Sequence, residues 1–149
     1  MESDDLQHLQ RTAERAEAAP WVDYPPTPAW YPPATGTWAA AMTAVLAELG
    51  GLVGFVAVVA LAAVEAGFLV WYRRYRGTMP NGAMPAEMRA AATVFTVALV
   101  VLVTALFGLS QLFATWVPVV VAFAAVTALT TWYERAYADG AARVRARLG

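Results

Sequence analysis

The sequence predicts an all-α protein built as a polytopic transmembrane helix bundle with four spans in two hairpins. Three observations lead there. Hydrophobic residues make up 60% of the 149-residue chain and charged residues 14%, against ~25% charged in soluble domains. Long apolar runs fall between Ala34 and Tyr72 and between Ala90 and Tyr133. The arginines fall outside those runs, in two clusters that flank them.

The net charge of −1 hides an uneven distribution. Residues 1–33 carry six acids and two arginines (−4), residues 73–89 four arginines and Glu87 (+3), and residues 134–149 four arginines with Glu134 and Asp139 (+2). The remaining carboxylates, Glu48 and Glu65, lie inside apolar sequence. There is no cysteine, so disulfides and thiolate metal sites are excluded. Apolar sequence begins only near Ala34, too late for a cleavable leader, and the spans are expected to be retained.

From the N-terminus, residues 4–19 read as a short helix, with Ser3 as N-cap, Asp4 and Asp5 at the positive end of its dipole and Pro20 as the stop. Residues 20–33 hold six of the nine prolines and are expected to form an extended strap. Its interleaved Trp21, Tyr24, Trp30 and Tyr31 suit the headgroup layer, and a Pro-rich docking peptide is the alternative reading.

The run from Ala34 to Tyr72 would be about 58 Å long as one helix, against a hydrocarbon core of ~30 Å. It must break, and Gly50-Gly51 beside Glu48 is the expected place, giving spans of 34–49 and 52–72. After a cytoplasmic loop over 73–89, with Pro80-Asn81-Gly82 as a turn, spans of 90–108 and 112–133 follow. Gly108, Ser110 and Gln111 are expected to turn the chain between them, with Pro118 near the start of the last span.

Orientation follows from arginine placement. Loop 73–89 and tail 134–149 are both basic, so both are expected in the cytoplasm, as in a plasma-membrane protein. The N-terminus joins them if 34–49 spans. If that alanine-rich segment stays on the surface, three spans remain and the N-terminus is outside. Trp71-Tyr72 and Trp132-Tyr133 close their spans, and Trp38 and Trp116 lie near span starts, as interfacial belts would.

Candidate functional residues are few. Glu65 lies seven residues before Tyr72, ~10 Å inside the interface by helical rise. An ionisable group there is a candidate proton or cation site; the competing reading is a carboxyl satisfied by a Thr or a backbone group. Glu48 reads as a solvated turn residue. Arg73, Arg74, Arg76, Arg143, Arg145 and Arg147 are candidate contacts for anionic headgroups, or simply topogenic charges. Small residues at four-residue spacing suggest close helix packing, within the chain, with a second copy or with another membrane protein. They include Gly50 and Gly54, Ala63 and Gly67, Ala62 and Ala66, Ala40 and Ala44. His8 stands alone, the only serines are Ser3 and Ser110, and no phosphate loop is present, so neither an enzyme nor a cofactor or metal site is expected. Nothing beyond the scattered arginines points to nucleic acid.

Several segments together carry a resemblance. They are Ala29-Trp30-Tyr31-Pro32-Pro33, the two hydrophobic hairpins, the connector from Trp71 through Arg73-Arg74-Tyr75-Arg76 to Gly82, and Glu134-Arg135-Ala136-Tyr137. Over about residues 13–140 the chain resembles small four-helix membrane proteins common in actinobacteria, a family to which no activity is assigned. The resemblance implies the two-hairpin arrangement and no mechanism. Small multidrug transporters share four spans and an intramembrane Glu, but theirs lies in the first helix of a shorter chain, so their activity is not carried over to Glu65.

Overall fold

The computed structural model describes residues 2–23, 25–77 and 83–148, and among these every regular element is an α-helix. The helices are α1 (Glu2–Val22), α2 (Tyr31–Glu48), α3 (Gly51–Arg76), α4 (Ala86–Leu112) and α5 (Trp116–Leu148). Three of them, α3, α4 and α5, are long and apolar enough to cross a membrane; α2 is not among the three. The predicted all-α membrane class holds at that level.

Helix ends depart from expectation wherever proline or glycine was read as a stop. α1 continues through Pro20 to Val22, and α2 begins at Tyr31 with Pro32 and Pro33 in its first turn. Among the described residues of the expected strap, Asp23 and residues 25–28 lie outside helices and turns. A proline in a first turn loses nothing, because that N–H has no intrahelical partner. Pro20 sits in the last turn of α1, where few bonds remain to break. Likewise α4 runs through Gly108 and Ser110 to Leu112, and the turn comes at Phe113–Thr115. Ser110 satisfies its hydroxyl on the Phe107 carbonyl within the helix, at 2.7 Å. Pro118 then falls in the first turn of α5, where it needs no kink.

The break falls at Leu49-Gly50, one residue before the expected Gly50-Gly51. Gly51 has φ +58°, a left-handed conformation that glycine adopts at little cost. The proposed turn at Pro80-Asn81-Gly82 lies outside the described residues. The basic tail after Tyr133 is the uninterrupted end of α5.

α5 is the central helix: α2, α4 and α1 all pack on it, whereas α3 meets the bundle mainly through α2. Paired contacts give the directions. Thr27 meets Glu134, Thr35 meets Thr130 at 3.3 Å, and Gly36 meets Phe123 and Thr127, so α2 runs antiparallel to α5. Trp38 donates to the Leu61 carbonyl at 3.2 Å while Tyr31 stacks on Phe68, so α3 runs back along α2. Phe95 against Tyr133 and Met88 against Gly140 make α4 antiparallel to α5.

Apolar burial is concentrated at one end. Ala18, Val22, Met88, Tyr137, Ala141 and Val144 form a buried cluster, lined by Trp21, Met84, Tyr133 and Leu148. Along the middle of α3 and α4 large side chains point outward, with Val64 63% and Val100 62% exposed. Such surfaces are unfavourable in water at about 25 cal/mol per Å², and lipid is the solvent that suits them.

Candidate functional site

The helix directions bring Arg15 and residues 73–76, 89, 135 and 143–147, hence nine of the ten arginines, to one end of the bundle. There the tail arginines, expected to face headgroups, make contacts within the chain. Arg145 Nη2 donates to the Val22 carbonyl at 2.5 Å, and Arg15 Nε donates to the Leu148 carbonyl at 2.6 Å. Each guanidinium thus caps the C-terminus of the other helix, where the dipole is negative and the carbonyls lack partners. Arg147 Nε pairs with Glu87 Oε1 at 2.8 Å, and Arg143 Nη2 reaches the Glu87 carbonyl at 3.5 Å. Val144, between them in sequence, is fully buried. These contacts fasten α1 and the start of α4 to the end of α5. Arg73 and Arg74 remain exposed on α3.

Glu87 precedes the apolar stretch of α4, which begins after Arg89. Its own backbone N–H, at the first turn of α4, and the Arg147 guanidinium hold its carboxyl below the ordinary carboxylate range. A carboxyl held low stabilises the fold fully above its unfolded value, near 4.5, and the contribution is lost as pH falls through the folded value. Acid titration followed by the Trp21 indole resonance should therefore show a loosening of this end below about pH 4.5. Glu87→Gln should lack that step. The same midpoint in both proteins would refute the assignment.

A layer of rings lies next to the cap. Tyr31 stacks between Phe68 at 5.5 Å and Tyr72 at 5.6 Å, and Trp30, Trp71 and Tyr75 continue the row. The strap is held by Tyr75, whose hydroxyl donates to the Pro26 carbonyl at 2.9 Å, and by Thr27, which donates to Glu134. Arg76 lies 4.9 Å from the Tyr72 ring and 5.5 Å from the Tyr137 ring, joining α3 to α5 by cation–π contacts. Among the sequence candidates, Arg76 is thus an internal bridge.

Glu65 stands apart from all of this. It is exposed on α3, and among the described residues it makes no hydrogen bond or ion pair. Arg76 is turned to the tyrosines and Arg89 to the Met84 carbonyl, so neither reaches inward. A charged side chain at the centre of a membrane-spanning helix costs about 2.5–3.5 kcal/mol on insertion scales.

Comparison with protein-family models, with curated proteins and with solved structures gave no match. The residues themselves therefore carry the functional reading. Among the glycines and alanines expected to pack helices, Gly54 is tight only against the Leu49 backbone of its own hairpin, while Gly50 and Gly67 face open space; Ala63 is exposed. The close approach between helices occurs at Gly36, which sequence reasoning missed. A Cβ there would fall inside the contact distance of Thr127 Oγ1 and 2.7 Å from the Phe123 carbonyl oxygen. The signal was present, since Gly36 extends the Ala40/Ala44 series by one four-residue step.

Proposed function

We propose that the chain is a plasma-membrane protein with four crossings and both ends in the cytoplasm, working as an accessory or scaffold subunit rather than as an enzyme. The crossing number rests on parity. α1 and the strap touch the end of α5 through Arg145–Val22, Tyr137–Trp21 and Thr27–Glu134, so both segments lie on one side. If α3, α4 and α5 each cross once, α2 must cross as well. Its 18 residues span ~26 Å, close to the ~30 Å core, and it is shielded by lying along α5. The gathered arginines favour the cytoplasm for that side.

The accessory role is supported by where order is concentrated. The buried cluster lies in the cap and does not include Glu65. A second reading, a small transporter or channel subunit, is favoured by Glu65 itself. Proton flux into liposomes separates them. The accessory reading expects no flux above empty vesicles for wild type or Glu65→Gln; wild-type flux abolished by the substitution would establish the transporter reading.

A further inference from the structure

Two of the arginines expected to meet headgroups are left without a task inside the fold. Arg76, Arg143, Arg145 and Arg147 are engaged within the chain. Arg73 and Arg74 are exposed, and among the described residues neither makes a hydrogen bond, an ion pair or a ring contact. No carboxylate occurs between Glu65 and Glu87. The end of α3 therefore concentrates positive charge that its own sequence does not offset.

The fold sets a pair of indoles beside that charge. Trp71 lies three positions before Arg74, so the two are neighbours on the surface of α3. Trp30 comes from a remote segment, the turn that opens α2, and packs on Trp71 at 5.0 Å and on Phe68 at 6.2 Å. Its place is fixed from both sides, by the stack of Tyr31 on Phe68 and by the Tyr75 hydroxyl on the Pro26 carbonyl. Both indoles are exposed, and among the described residues neither N–H has an acceptor, whereas Trp38 donates to the Leu61 carbonyl. One turn before Trp71, Gly67 faces open space and leaves room for an acyl chain beside the helix.

These donors stand where an apolar helix of spanning length meets its basic end, the level of lipid phosphates and glycerol esters. We propose that Arg73, Arg74 and the Trp30–Trp71 pair form a binding site for one anionic phospholipid. The guanidinium groups take the phosphate, the indole N–H groups take oxygens around it, and an acyl chain runs along α3 past Gly67. A zwitterionic headgroup fits less well, because its ammonium would meet cations and no carboxylate of α3. Arg135, the other exposed arginine near a tryptophan, differs in that Glu134 and Asp139 offset its charge. The site goes beyond the accessory reading and requires only that α3 cross the bilayer.

Native mass spectrometry of the full chain in detergent micelles, with phosphatidylglycerol or phosphatidylcholine added, resolves each bound lipid. The first phosphatidylglycerol should bind about fivefold more tightly than phosphatidylcholine, the preference that one arginine near the surface supplies. Arg73→Gln with Arg74→Gln should bring the two lipids to parity, and lysine at both positions should restore the difference. Trp30→Phe with Trp71→Phe keeps rings but removes both N–H donors, and should weaken phosphatidylglycerol with the unfolding midpoint unchanged. Arg135→Gln should leave the preference intact, and excess glycerol phosphate should not displace the lipid. A preference that survives the double glutamine variant, or falls equally in Arg135→Gln, would overturn the site as one more effect of overall charge. Displacement by glycerol phosphate would overturn it in favour of a soluble anion.

Discussion

Replacing Gly36 with valine should lower the stability of the folded bundle by about 2–3 kcal/mol, near the upper end for overpacking a close contact. The new side chain would enter the seam between α2 and α5 against Thr127 and the Phe123 carbonyl. The threonine hydroxyl is buried and has no hydrogen-bond partner among the described residues, so it is free to rotate away. The carbonyl belongs to the backbone of α5 and cannot. Thr127→Ala should therefore recover only part of the loss. Gly67→Ala is the control: its Cβ would meet nothing within 4 Å, and removing a helical glycine should gain about 0.5–1 kcal/mol. Unfolding in mixed micelles, followed by near-ultraviolet circular dichroism, reads both signs. Equal effects at Gly36 and Gly67 would contradict the packing assigned to α2.

The second large effect is expected in the cap. Met88 and Val144 are fully buried where α1, α4 and α5 meet. Met88→Ala should cost about 2–5 kcal/mol through the cavity left behind. Val144→Asp should cost at least as much, because it buries a carboxylate in an apolar cluster without a partner. The visible result is release of α1, read as protease cleavage between Asp23 and Ala29 with the remaining helices intact. Cleavage no faster than in wild type would show that α1 is not held by this cluster.

Much of the fold was legible because its signals are local. Apolar runs of spanning length gave α3, α4 and the first part of α5, and Gly50-Gly51 marked a break that φ at Gly51 bears out. Local signals also misled. Pro20, Pro32 and Gly108 read as interruptions, yet each sits where a helix tolerates it, in a terminal turn or within a continuous apolar run. The roles of the tail arginines were illegible because their partners are remote. Arg145 meets Val22 across 123 positions and Arg147 meets Glu87 across 60, and no spacing rule links such pairs. Gly36 was obscured by the alanine-rich background, in which four-residue pairs abound. Glu65 was legible as a residue, but only the fold puts it outside the α2 seam, beside Ala62 and Ala66.

The central claim is that α1 and the end of α5 share one side of the membrane, so that α2 is a crossing helix. A cysteine-free chain makes the test direct. Gln10→Cys, Gln111→Cys and Ala146→Cys are each exposed positions, and each variant can be treated with a membrane-impermeant thiol reagent in intact cells and in inverted vesicles. Four crossings predict that positions 10 and 146 label only in inverted vesicles and position 111 only in intact cells. Labelling of position 10 together with position 111 in intact cells would place α1 outside, leave three crossings, and contradict the account.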